Sequence, residues 1–221
     1  MNKEVQIKSY LSYVFKHVVD GLDGELKDIV EKEGVIAGGA IRSLYTGANI
    51  NDIDIYLQNP ESALTAQKQI NECLGKGFGF FTKLKVMRLL FPNQLQKHDD
   101  FLSENAWSFT NKKLDLRIQI IYKYTGKPQE LVERFDYTNS QAVYIPQTDD
   151  LILTSQFKRD VFNKKLTFNE NCHSPVYSLE RMFKFIRGGY TIDRNNLLKL
   201  CKAAAKDSEN HDSFVSGGDM Y

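Results

Sequence analysis

With 221 residues, of which 42% are hydrophobic, 26% charged and 12% aromatic, the chain is long enough for one large domain or for a domain with a smaller attachment. Lys+Arg 29 against Asp+Glu 28 leaves a net charge of +1, so a polyanionic partner must be held by a local basic patch and not by a global field. Cys73, Cys172 and Cys201 are odd in number and never form a CxxC pair, which argues against a disulfide framework and a zinc site and fits a reducing cytoplasm.

MNKEVQIKSYL at the start is charged and lacks a long apolar core, so no secretory signal is expected; no run approaches the ~20 apolar residues of a membrane span, and no membrane partner is expected. Leu11, Val14, Phe15 and Val18 recur at i, i+3, i+4, i+7 and predict an amphipathic helix over 3–20. A second helix, about 22–33, should stop at Gly34 in a left-handed cap. Val35, Ile36 and Ala37 then predict a short buried strand, Gly38 and Gly39 a tight turn, and 40–45 a helix.

IDIYL at 53–57 reads as a strand with Asp54 and Tyr56 opposite Ile53, Ile55 and Leu57. The stretch 60–74 opens on proline and predicts a helix. TKLKVMRLLF reads as a strand, and NAWSFT with LDLRIQIIY as a hairpin whose Trp107, Phe109, Tyr122 and Tyr124 chiefly pack the core. Beyond that come a short helix at PQELVERF, short strands at QAVYI, LILT and KKLTF, and helices at 176–189 and 194–206. The polar stretch 207–221 is expected to be a mobile tail, after a head at 1–125 and a C-terminal lobe at 126–206.

Asp52 and Asp54 lie two residues apart on one strand face and can aim at one spot. Nucleotidyl transfer calls for that arrangement, because divalent ions held by clustered carboxylates neutralise a triphosphate and lower the pKa of an attacking hydroxyl. Magnesium takes oxygen ligands and keeps some waters. Glycines 38 and 39 allow close approach of backbone to phosphate at a helix N-terminus, and Arg42 in that helix's first turn can reach the same phosphates. A D-x-D or a glycine pair alone is commonly just a solvated strand or a turn; their order and spacing carry the reading.

GVIAGGAIRS followed by NDIDIYL resembles the signature of the polymerase-β-type nucleotidyltransferase superfamily, and within it the CCA-adding enzymes and bacterial poly(A) polymerases, where GGxxR precedes DxD. The resemblance implies an α+β fold, a small mixed sheet flanked by helices with a mostly helical C-terminal lobe. It also implies an enzyme that moves a nucleoside monophosphate from an NTP, ATP or CTP, to an acceptor hydroxyl and releases pyrophosphate. Two Mg²⁺ ions, or Mn²⁺ in their place, are implied as cofactors, an RNA 3′ end as the preferred acceptor, with no DNA partner expected, and the cytoplasm, that of the host for a phage protein, as the location; the alternatives are transfer to a protein or small molecule, as in toxin-like members, and a non-catalytic phage protein of the same fold that binds a nucleotide or host factor. By position Gly38, Gly39, Arg42 and Ser43 fall to the nucleotide and Asp52 and Asp54 to the metal. Ser43 stands where that branch usually carries an acidic residue.

The superfamily commonly supplies a third carboxylate from a later strand. Asp115 in KLDLRIQII, sharing parity with Arg117 and Gln119, is the candidate metal ligand; the alternative is that it is the polar start of the strand after a Lys-Lys turn. Asp136 is the alternative, in ERFDYTNSQAVY, which resembles a motif of short phage-encoded nucleotidyltransferase-like proteins. ERMFKFIRGGYTID resembles the stretch after the catalytic head in CCA-adding and poly(A) polymerases; Arg181, Lys184 and Arg187 would meet triphosphate or RNA backbone while Met182, Phe183, Phe185 and Ile186 pack the other side. Only about thirty residues follow Gly189, too few for the long helical body with which that branch measures tRNA. KHDD at 97–100 and the isolated histidines His17, His173 and His211 lack ligand spacing and are read as surface.

Overall fold

The computed structural model describes residues 2–74, 101–103 and 105–210, and the chain divides into two units. The first comprises Met1–Val132 with Ser140–Thr154, the second Glu133–Asn139 with Ser155–Tyr221. The strands at 142–145 and 150–153, expected beyond the head at 1–125, thus belong to the first unit, because the earlier of them pairs with a central strand of its sheet.

The first unit begins with α1 (Lys3–Val19), whose Asn2 cap accepts the Glu4 N–H at 3.1 Å and whose buried Ile7, Leu11, Val14, Phe15 and Val18 follow the helical period. Helix α2 (Gly24–Glu33) runs directly into β1 (Gly34–Ala37), and α3 (Gly39–Thr46), β2 (Asp52–Leu57) and α4 (Pro60–Leu74) follow. Next come β3 (Phe101–Leu102), β4 (Ala106–Asn111), β5 (Leu116–Ile121), α5 (Pro128–Glu133), β6 (Ala142–Ile145) and β7 (Asp150–Leu153). The strands form a seven-stranded mixed sheet in the order β3-β4-β5-β2-β1-β6-β7, where β2 and β5 are parallel and the other pairs antiparallel. The fold is α+β. TKLKVMRLLF and KHDD lie outside the described residues.

Burial follows alternation: Ile53, Ile55 and Leu57 of β2 and Ile118 and Ile120 of β5 are fully buried on one face, with Trp107 and Phe109 of β4 beside them. Those two aromatics pack against each other, ring centroids 4.4 Å apart, and are not available to stack on bases. Helix α1 is tied to the turn before β7 by Lys8 and Asp149 at 2.8 Å, and the Tyr144 hydroxyl donates to the same carboxylate at 2.9 Å. Lys8 and that hydroxyl hold the Asp149 carboxyl below its ordinary range, and burial pushes the Tyr144 phenol up to about 12.

Gly34 departs from its expected role. Its backbone is extended, φ −72° and ψ 132°, and not left-handed. The glycine is required by space instead: a Cβ there would lie 2.5 Å from the Val30 carbonyl oxygen and 3.1 Å from carbons of Ile55 and Phe15. Only a residue without a side chain lets α2 turn straight into a central strand.

The second unit has its own core. Tyr137, Leu166, Phe168, Met182, Phe185 and Leu200 form one buried cluster, drawn from the bridged residues Tyr137 and Phe168, β8 (Lys165–Leu166), α7 (Pro175–Arg187) and α8 (Arg194–Asn210). Tyr137 stands edge-on to Phe168 and Phe185, and its hydroxyl donates to the Ser178 carbonyl at 2.7 Å. β8 pairs in parallel with β9 (Thr191–Ile192). Helix α6 (Ser155–Phe162) escaped the sequence reading because only Phe157 and Val161 mark its apolar face; its third buried residue is Asp160, which accepts from Thr138 Oγ1 and, at 2.8 Å, from Gln156 Nε2.

Replacing Gly34 by Ala is expected to lower stability by about 1–3 kcal/mol through overpacking. Urea unfolding followed by Trp107 fluorescence measures it; a midpoint equal to that of the parent chain would show that the neighbours yield.

Candidate active site

Two local facts place the acidic pair. β1 and β2 are antiparallel with Ile36 opposite Ile55, so the turn after Ala37 comes alongside the N-terminal half of β2. Alternation leaves Asp52, Asp54 and Tyr56 half-buried on the face opposite the isoleucines. Gly38 has φ 86° and ψ −129°, a conformation that glycine alone adopts without strain. Its N–H donates to the Ala142 carbonyl at 3.0 Å, fixing the turn to β6. The N–H groups of Gly39, Ala40 and Ile41 follow and, by helix geometry, have no intrahelical acceptor.

Arg42 closes the first turn of α3, where its N–H donates to the Gly38 carbonyl at 3.4 Å. Its Nη1 donates to Ser140 Oγ at 2.8 Å. Ser140, which the sequence did not single out, lies 98 positions away, and no local signal links the two. Ser43 is half-buried, and its carbonyl accepts from the Ala48 N–H at 2.9 Å as the helix ends at Gly47, φ 74°.

Across the parallel pair, Arg117 stands beside Asp52 and Gln119 beside Asp54. β4 continues both rows with Thr110 and Ser108, and Gln119 Nε2 donates to Ser108 Oγ at 2.9 Å. Asp115 does not join them. It is exposed in the turn between β4 and β5 and has φ 51°, left-handed, so strand parity does not extend to it. Among the described residues no group of three or more His, Cys, Asp or Glu is placed to hold a metal ion. The pair itself suits magnesium, a hard cation that takes one or two carboxylates and completes its shell with water and substrate phosphate.

Asp136, the other candidate for a third carboxylate, belongs to the second unit and is buried, 6% exposed, with Arg181 Nη1 3.3 Å from Oδ2. Burial pushes the neighbouring Tyr137 phenol above its ordinary range, and the Asp136 charge adds to the effect. Of the three basic residues on α7, Arg181 is therefore committed to an internal ion pair, while Lys184 and Arg187 are exposed. The apolar side of α7 is also narrower than expected. Met182 and Phe185 are buried, whereas Phe183 is 57% and Ile186 42% exposed, because the sector facing the core carries Pro175, Ser178, Met182 and Phe185.

The profile of the Gabija anti-defense 2 family matches residues 2–164, which hold the glycine turn, Arg42, the acidic pair and the whole sheet. The chain belongs to that family. A curated relative, Gabija anti-defense 2 of Bacillus phage SPbetaL7, is 26% identical over 180 residues, 81% of this chain and 39% of the relative. Among solved structures, a CCA-adding enzyme in complex with CTP superposes with a TM-score of 0.51 at 19% identity, over 89% of this chain and 47% of that one. The Thermotoga maritima CCA-adding enzyme complexed with tRNA gives 0.47 at 20% identity, over 86% of this chain and 45% of that one. The chain thus spans less than half the length of the proteins it matches. Its fold is that of the CCA-adding nucleotidyltransferases. Among the described residues no helix is long and apolar enough to cross a membrane.

The Arg181–Asp136 pair yields a direct test of its structural role. Arg181→Met strips a buried carboxylate of its counter-charge and is expected to cost about 2 kcal/mol, discounted for the exposure of the arginine. In an Asp136→Asn background the same change is expected to cost under about 0.5 kcal/mol. Equal costs in both backgrounds, measured by denaturant titration, would show that the two do not interact.

Proposed function

We propose that this Gabija anti-defense 2 family member is a nucleotidyltransferase. It would take a nucleoside triphosphate, ATP or CTP, move the nucleoside monophosphate to an acceptor hydroxyl and release pyrophosphate, and so act for a phage against its host's defence in the host cytoplasm. The observation that carries the reading is the placement of Asp52 and Asp54 together on the face of β2 opposite its isoleucines, beside the Gly38 turn. The preferred acceptor is an RNA 3′ end. The support is the fold shared with a CCA-adding enzyme whose structure was solved with CTP.

Asp52 and Asp54 would hold Mg²⁺, or Mn²⁺ in its place, which when bound supplies charge neutralisation at the triphosphate and acidifies the acceptor hydroxyl. The chain's own groups do the rest. Backbone N–H groups at the start of α3 receive phosphate oxygens, which the Gly38 turn lets come close. Ser140 fixes the Arg42 guanidinium at the same helix turn, so that little side-chain entropy is lost when a phosphate is met. Ser43, next in the helix, lies within this nucleotide-binding segment. Lys184 and Arg187 are exposed cations of the second unit suited to RNA phosphates.

A second reading has an observation of its own. Asp115 lies in a left-handed turn before β5, Asp136 is paired with Arg181 within the second unit, and among the described residues no group of three carboxylates is placed to hold a metal ion. A site of two carboxylates suits nucleotide capture without transfer, in which case the protein would sequester a nucleotide.

Incubating the purified protein with Mg²⁺ and α-³²P-labelled ATP or CTP, in the presence of RNA and separately of host lysate, distinguishes the readings. Label appearing on RNA and lost in Asp54→Ala, by about 100-fold or more, is the expected outcome. Label on protein alone would remove the RNA acceptor, and bound but unconverted nucleotide would favour capture.

A further inference from the structure

A triphosphate brings several negative charges to one spot, and the first unit must answer them with more than backbone dipoles. The cations the motif offers are partly committed: Arg42 is hydrogen-bonded to Ser140, and Arg181 of the second unit is paired with Asp136. Another guanidinium lies on the same sheet face as the acidic pair. Arg117 of β5 is the register partner of Asp52 in the parallel ladder, and alternation puts Ile118 and Ile120 on the buried side and Arg117 on the other. It is exposed, and its cross-strand neighbour on β4 is the uncharged Thr110.

The topology sets this arginine opposite the glycine turn. β1 and its turn flank β2 on one side, β5 flanks it on the other, and neighbouring strands lie roughly 4.8 Å apart. A polyphosphate held over Asp52 and Asp54 would therefore have the α3 amide groups on one flank and Arg117 on the other, within the reach of an arginine side chain. The next row of the same face carries Gln119, whose amide is bound to Ser108, so the positive charge is concentrated at the Asp52 end. An arginine at this place also explains why the strand neighbouring the aspartates carries no carboxylate abreast of them: Arg117 and Gln119 fill both positions.

We infer that Arg117 is a phosphate-binding residue of the nucleotide site, gripping the polyphosphate from the side opposite the glycine turn. This rests on the nucleotide-binding reading above and names a residue that the motif does not contain. Its planar guanidinium offers a paired set of donors to two phosphate oxygens while leaving the aspartates to the metal.

Equilibrium binding of ATP and CTP, and of the corresponding nucleosides without phosphates, to the full chain in Mg²⁺ tests it. Arg117→Gln is expected to weaken triphosphate binding about 10- to 100-fold and to leave nucleoside binding unchanged, and Arg117→Lys to recover part of the loss because the charge is kept. Circular dichroism of each variant reports folding. If Arg117→Gln binds triphosphate as the parent does, or loses triphosphate and nucleoside equally, the inference is overturned while the nucleotide site stands. If the parent chain binds no triphosphate, the nucleotide-binding reading itself falls and the inference falls with it.

Discussion

The structure depends on the register of one strand. β2 sits between β1 and β5 near the centre of the sheet, and its alternation sends Ile53, Ile55 and Leu57 into a fully closed interior while leaving Asp52 and Asp54 half-buried on the opposite face. A slip of one residue would reverse the two sets, burying carboxylates and exposing isoleucines, so the hydrophobic core and the candidate chemistry are fixed by the same constraint. Burying three such side chains stabilises this register by roughly 1.5–3 kcal/mol each. Desolvating two carboxylates in a slipped alignment would add a penalty of several kcal/mol more.

Around that strand, glycines serve two distinct physical needs. Gly38 supplies backbone freedom at φ 86°, and Gly34 supplies empty volume where a helix carbonyl, an isoleucine and a phenylalanine converge. The arginines likewise divide by task. Arg42 is oriented by a serine, Arg181 balances a buried acid, and Arg117 stands on the sheet face beside Asp52. The second unit has a separate interior, the aromatic cluster around Tyr137. Its exposed Phe183 and Ile186 show that α7 is amphipathic only over a narrow sector.

Much of this was legible in the chain because it is local. The period of Leu11, Val14, Phe15 and Val18 gave α1, Pro60 marked the start of α4, and the alternation in IDIYL gave both faces of β2. The order of glycine turn, arginine and acidic pair was sufficient to name the fold, and a CCA-adding enzyme shares it. What was not legible is what long-range pairing decides. Nothing near Arg117 announces that β5 runs parallel to β2 with Asp52 as its neighbour, and nothing near Arg42 points to Ser140. The parity argument for Asp115 failed for a local reason: the strand starts one residue later, after a left-handed residue that breaks the alternation. For Gly34, composition favoured a cap, whereas crowding from Val30, Ile55 and Phe15, which no local pattern encodes, decided the outcome.

On the function proposed above, a divalent cation and a nucleotide meet at the face of β2 that carries Asp52 and Asp54. Paramagnetic broadening of assigned amide resonances by substoichiometric Mn²⁺, with a nucleoside triphosphate present, reads that location directly. Broadening is expected to begin at residues 52–54, with 38–40 and 117–119 close behind. Broadening centred elsewhere on the chain, or uniformly weak over the whole surface, would contradict it.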